Sequence, residues 1–209
     1  MKGVFITFEG PDGSGKTTQL HKAAETLRRM GYEVLESREP GGTELAEKVR
    51  SLVLDASLPL AARTEVLLYL AARSEHVDKV LRPAFAAGKI ILCDRFSDST
   101  LVYQGLVRGM QPEQLQELRR LNAYVCGDFA PQLTLLLDGR PEVLAERRSL
   151  RGVSDRYEDK GLAFQRQVRE GFRTLAELEP QRIRLINAEQ SADKVAEAVL
   201  RVIREVLPE

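Results

Sequence analysis

Five short apolar runs mark the chain, at Val4 to Glu9, Glu33 to Ser37, Lys89 to Asp94, Leu133 to Asp138 and Arg182 to Asn187. Between them apolar residues return at helical spacing, over Lys16 to Met30, Thr43 to Leu54, Ala61 to Ala87, Pro112 to Cys126, Pro141 to Leu150, Lys160 to Leu178 and Ala192 to Val206. Strands that alternate with helices build a parallel sheet joined by right-handed crossovers. Boundary chemistry agrees: Pro112 and Pro141 suit first helical turns, Ser191 suits a cap, and Gly31 and Gly88 suit helix ends that run into strands. The pattern therefore predicts an α/β fold, a five-stranded parallel sheet flanked by helices.

Ligands of an open parallel sheet gather at the carboxyl ends of its strands. The first strand here leads into Gly10-Pro11-Asp12-Gly13-Ser14-Gly15-Lys16-Thr17, a P-loop set between an apolar run and an amphipathic helix. Glycines let consecutive backbone N–H groups turn inward, and the helix N-terminus behind them adds about half a positive charge, so the loop suits phosphate. Lys16 is placed to reach the β- and γ-phosphates of a nucleotide, and the Thr17 hydroxyl to ligate Mg²⁺, with Asp94 as a second candidate ligand.

The other strand ends add to this. They carry Arg38-Glu39-Pro40-Gly41-Gly42-Thr43, then Asp94-Arg95-Phe96, then an arginine-rich segment after a short helix, and finally Asn187-Ala188. Arg95 can grip a second phosphate through two parallel N–H bonds. The segment 147–158 holds Arg147, Arg148, Arg151 and Arg156 around Gly152. It reads either as a solvated face or as a lid, whose mobile cations cover a phosphoryl group in transfer and whose closure keeps water out. Asp138 fits an acidic group on the metal side of the site or a cap for the helix that starts at Pro141.

Composition narrows the partners. The 209 residues carry 31 basic and 31 acidic side chains, a formal net charge of zero, which excludes a protein built to coat nucleic acid or an anionic membrane. A single domain accommodates this length. Cys93 and Cys126 lie in no CxxC or Cys/His spacing and read as two small buried apolar residues. No apolar stretch approaches the ~20 residues that span a bilayer, and no signal-like segment precedes the first strand, so the expectation is a soluble, cytoplasmic protein. His21 and His76 have no partner in motif spacing and are expected at solvent or at an interface.

The loop Gly-Pro-Asp-Gly-Ser-Gly-Lys-Thr-Thr, the Arg-Glu-Pro-Gly-Gly-Thr loop, Asp-Arg-Phe, Tyr103-Gln104-Gly105 and the closing Asp-Arg-Tyr-Glu together resemble the bacterial thymidylate kinases, in order and spacing from Phe8 to the C-terminal helix. The resemblance implies a P-loop fold with a short lid at about 147–158 and transfer of phosphate from ATP to dTMP with Mg²⁺, in dTTP biosynthesis. It implies an ATP site over Gly10 to Thr17 with Asn187 and Ala188. On the acceptor side Asp12 would contact the deoxyribose 3′-hydroxyl, and Arg95 and Arg50 would hold the 5′-phosphate. Tyr69 would stack on thymine and Arg73, one helical turn on, would bond its O4. Ser99, Thr100, Tyr103 and Gln104 would line base and sugar, and Glu39-Pro40 falls where the family has a cis peptide bond. Tyr69 departs from the family's usual Phe, and on helical spacing alone it also suits a core position. This P-loop has no arginine, so the catalytic arginine is expected from the lid, Arg151 or Arg156, beside Lys16 and Arg95.

The family usually forms homodimers, and the helix from Ala61 to Ala87, apolar on more than one side, is compatible with that. Two competing readings are a deoxynucleoside kinase, which would want a carboxylate base for a hydroxyl acceptor, and a nucleotide-dependent switch. The Asn-Lys-x-Asp motif of guanine-specific switches is absent.

Overall fold

The computed structural model describes residues 3–149, 157 and 160–207. The strands are β1 (Val4–Glu9), β2 (Val34–Arg38), β3 (Ile90–Asp94), β4 (Leu133–Asp138) and β5 (Ile183–Asn187). All pairings are parallel, in the order β2-β3-β1-β4-β5. Each boundary lies within one residue of the expected one. The helices are α1 (Lys16–Arg29), α2 (Glu44–Leu54), α3 (Ala62–His76), α4 (Arg82–Ala86), α5 (Ser97–Thr100), α6 (Pro112–Cys126), α7 (Pro141–Ser149), α8 (Gly161–Leu178) and α9 (Ala192–Ile203).

β1 lies at the centre, buried along its whole length, and its alternating side chains feed two cores. Val4, Ile6 and Phe8 pack with Leu20 and Leu27 of α1 and with Val195, Val199 and Ile203 of α9. Phe5 faces the other way, against Ile91, Cys93, Phe96 and Phe129. The edge strands β2 and β5 are only partly buried. Gly10 follows β1 at φ 136°, and a Cβ there would overlap the Leu137 carbonyl oxygen of β4, so only glycine lets the chain leave the sheet at this point. Both cysteines are buried free thiols. Among the described residues no helix is long and apolar enough to cross a membrane.

Two helical regions differ from expectation. The stretch from Ala61 to Ala87 breaks into α3, a wider π-helical turn over Val77–Leu81, and α4. The segment after β3, to which the periodicity assigns no helix, is helical: α5, then a π-helical turn at Leu101–Gly105 and a 3₁₀ turn at Leu106–Arg108. Every residue from Leu101 to Gly105 is buried, Gln104 included, so no polar face sets a period that sequence inspection could detect.

Candidate active site

The glycine loop curls over the start of α1. Gly13 and Gly15 take φ of 86° and 88°, and the first turn of α1 holds no acidic side chain, which leaves its positive end open to an anion. Lys16 Nζ donates to the carbonyls of Gly10 and Pro11, both at 3.0 Å. Burial, followed by the Arg95 charge, lowers its pKa to about 8. The Thr17 hydroxyl donates to Asp94 Oδ2 at 2.5 Å, so the two expected metal ligands meet beside the loop. Their donor atoms are both hard oxygens, a set that fits Mg²⁺, which takes few protein ligands and keeps phosphate and water for the rest.

Gly13, Gly15, Lys16, Thr17 and Asp94 line one cavity. A second adjoins it, lined by Asp12, Glu39, Pro40, Arg50, Tyr69, Arg73, Arg95, Ser99, Thr100, Tyr103 and Gln104, together with Leu54, Phe96 and Tyr157. All the acceptor-side candidates are thus gathered in one place. Asp12, Glu39, Arg50 and Arg95 line both cavities. Asn187 and Ala188 stand apart at the end of β5, outside both linings. There Arg147 Nη1 donates to the Ala188 carbonyl at 2.5 Å and Nη2 to those of Glu189 and Gln190, so the first arginine of the expected lid grips the loop after β5. Arg151 and Arg156 lie outside the described residues.

Arg95 is the hub of the shared wall. Its Nη2 donates to Asp12 Oδ1 at 2.5 Å and to the Tyr103 hydroxyl at 3.3 Å, and Nη1 to Ser99 Oγ at 3.0 Å. The guanidinium lies 5.1 Å from the centre of the Tyr103 ring. Arg95 is non-glycine yet sits at φ 69°, a left-handed conformation that costs about 1–3 kcal/mol and persists only where neighbours over-determine it. Glu9 supplies part of that restraint. Fully buried at the end of β1, it accepts from Phe96 N at 2.8 Å, Ser99 N at 3.2 Å and Ser99 Oγ at 2.6 Å. Burial, then the Asp98 charge, raises its pKa to about 7. The apolar pattern does not single out Glu9, although an acidic residue closing an apolar run just before a P-loop is a signal in itself.

Arg73 is held as firmly. Its Nε donates to Glu39 Oε2 at 2.7 Å and Nη1 to Asn122 Oδ1 at 2.6 Å, with the guanidinium 5.1 Å from the Phe96 ring centre. The other Glu39 oxygen is 3.0 Å from His76 Nδ1, and His76 Nε2 is 2.6 Å from Ser37 Oγ. His76 is therefore fully buried and paired on both nitrogens, against the expectation of a solvent or interfacial position. A Cβ on Gly42 would come within 2.5 Å of the His76 ring, so the Gly-Gly pair lets the Glu39-Pro40 loop close over it. The Glu39-Pro40 peptide is cis, as expected. His21, by contrast, is exposed and contacts Glu36.

Tyr69 lines the cavity and its hydroxyl donates to Tyr157 Oη at 3.3 Å. Asp138 lines neither cavity. Arg169 grips both its oxygens at 2.6 and 2.8 Å and Arg173 adds a third bond at 3.0 Å, which ties β4 to α8, while the first turn of α7 closes on the Arg140 carbonyl.

A parallel sheet with a phosphate-binding loop on its central strand, opening onto a cavity that a second anion could share, defines a P-loop phosphotransferase. Comparison with known proteins narrows the class. The thymidylate kinase family model matches residues 8–199. The thymidylate kinase of Synechococcus sp. (strain JA-3-3Ab) is 48% identical over 201 residues, covering 96% of this chain and 95% of that protein. That of Protochlamydia amoebophila (strain UWE25) is 43% identical over 214 residues, covering 98% and 94%. The crystal structure of thymidylate kinase from Ehrlichia chaffeensis superposes with a TM-score of 0.78 at 35% identity, over 98% of this chain and 99% of that one. The chain belongs to the thymidylate kinase family.

Proposed function

We propose that this chain performs the family's reaction, ATP-dependent phosphorylation of dTMP to dTDP, across the wall that its two cavities share. The single observation that carries this reading is the placement of Arg95 and Asp12 in both linings, between a phosphate-binding loop and a pocket containing a buried arginine and aromatic rings. The P-loop takes the donor phosphates, with Asn187 and Ala188 toward the adenine. Arg95 and Arg50 take the acceptor phosphate, and Asp12 and Tyr103 the sugar. Tyr69, Arg73, Ser99, Thr100 and Gln104 take the base, beside the Glu39-Pro40 turn.

In the reaction a phosphate oxygen of dTMP forms a bond to the γ-phosphorus while the bond to the β–γ bridging oxygen breaks, and ADP leaves with the electron pair. The acceptor is already anionic, so no general base is required. Catalysis reduces to alignment and charge cover by Lys16, Arg95 and the lid arginines Arg151 and Arg156. Thr17 and Asp94 would hold Mg²⁺, which bound there adds positive charge to the donor oxygens.

We read residues 1–209 as one kinase domain with a lid at about 147–158, acting in the cytoplasm as a homodimer. Leu67 on α3 and Tyr124 on α6, 59% and 87% exposed on helices that pack together, offer apolar surface to a second copy. Light scattering tests the dimer. A steady-state assay with ATP and a panel of nucleoside monophosphates tests the activity, and turnover of dTMP no faster than that of purine monophosphates overturns it.

A further inference from the structure

The base end of the acceptor cavity has a polarity that its own lining does not set. Gln104 lines the cavity, and both hydrogen bonds of its side chain run through the amide nitrogen: Nε2 donates to Glu65 Oε1 at 2.9 Å and to Tyr157 Oη at 3.2 Å. Glu65, on α3, is fully buried and outside the lining. The same Oε1 accepts from Tyr157 Oη at 2.8 Å and lies 2.7 Å from Arg108 Nη2. Burial opposes charge on Glu65, but the donors from Gln104, Tyr157 and Arg108 outweigh it and hold the carboxyl below its ordinary range.

An ionised carboxylate has no proton to give, so each group turned to it must donate. That rule assigns the Gln104 amide: the NH₂ faces Glu65, and the carbonyl oxygen is left for the cavity. It also runs one step outward. Tyr157 gives its proton to Glu65, so its oxygen accepts from Tyr69. With the amide reversed, two acceptors would face each other in a buried site.

We propose that Glu65 sets base specificity without touching the base. By fixing Gln104 with its oxygen toward the ligand, it makes the pocket an acceptor for a pyrimidine whose ring nitrogen carries hydrogen, as in thymine or uracil. Cytosine, whose corresponding nitrogen is a bare acceptor, is disfavoured. Glu65 is a positioning residue, and Arg73, a donor in the same pocket, adds to the discrimination independently. The inference rests on reading this cavity as the acceptor pocket.

The Glu65→Gln substitution keeps the volume but supplies a group that donates as well as accepts, which frees the Gln104 amide to turn. The experiment compares kcat/KM for dTMP and dCMP in the parent, Glu65→Gln, Gln104→Met and the double variant. In Glu65→Gln the dTMP/dCMP ratio falls about tenfold, through the KM for the monophosphate, with KM for ATP and kcat little changed. Adding Glu65→Gln to Gln104→Met lowers the ratio no further. An unchanged ratio in Glu65→Gln, or a Glu65→Gln effect of the same size without the Gln104 amide, overturns the proposal. If Glu65→Gln does not fold, an undiminished dTMP preference in Gln104→Met overturns it alone. A parent that does not phosphorylate dTMP overturns the reading of the pocket itself, an outcome seen before any substitution is made.

Discussion

The two halves of the proposed site are built by opposite means. The donor half is eight contiguous residues, Gly10 to Thr17, whose work falls to backbone N–H groups, glycine dihedrals and one helix end. The acceptor half draws on side chains from residue 12 to residue 157, brought together by the P-loop, the turn after β2, α2, α3, the segment after β3 and Tyr157 ahead of α8. A phosphate is a concentrated charge that main-chain donors recognise unaided. A base and a sugar require buried polar groups aimed one by one, and every such group needs its own partner out of water. Hence the acceptor half carries a supporting layer, Glu9 under Arg95, Glu39 and Asn122 around Arg73, His76 behind Glu39.

The contrast is sharpest at Lys16, the one cationic side chain of the loop. Lys16→Ala should lower kcat by ~10²–10³ while circular dichroism shows an intact fold; turnover within tenfold of the parent would break the P-loop assignment. For the lid, Arg151→Ala and Arg156→Ala should each reduce kcat by about tenfold or more with small changes in both KM values. Parental kcat in both returns that segment to a solvated face.

On the acceptor side, Arg95→Lys keeps the charge and loses the fork, so the KM for dTMP should rise about tenfold while that for ATP moves far less. Equal shifts in both would mean that Arg95 serves the fold. Tyr103→Ala should relax the preference for dTMP over its ribose counterpart severalfold, whereas Tyr103→Phe keeps the ring and should preserve it. A loss already complete in Tyr103→Phe would assign sugar recognition to the hydroxyl that now bonds Asp12.

The smallest effect is one of pH. Lys16 carries its charge below a pKa of about 8 and loses it above, so kcat/KM for ATP should decline as pH rises through about 8. A flat profile across that range would separate Lys16 from donor binding.

What the sequence revealed follows the same division. Strands and P-loop were legible because their signals are local: apolar runs of strand length, and glycines at fixed spacing beside Lys16. The segment carrying Tyr103 and Gln104 reads as a candidate site through resemblance but not as a helix, since burial on all sides erases the amphipathic pattern. His76 was misjudged because its partners, Ser37 and Glu39, stand 39 and 37 residues away, and only the closure of α3 onto the end of β2 joins them. Asp138 is the converse case: it occupies a position where metal ligands and caps are common, and the partners that hold it approach from α8.

The wall common to both cavities has a thermodynamic consequence. Arg95 and Asp12 pair with each other, and a ligand on either side that draws on one of them alters what the other offers across the wall. Affinities on the two sides are then coupled, and linkage requires the coupling factor to be the same in both directions. Whatever dTMP does to the dissociation constant of a non-hydrolysable ATP analogue, the analogue must do to that of dTMP, so the order in which the two arrive cannot change the depth of the ternary complex, only the route by which it is reached.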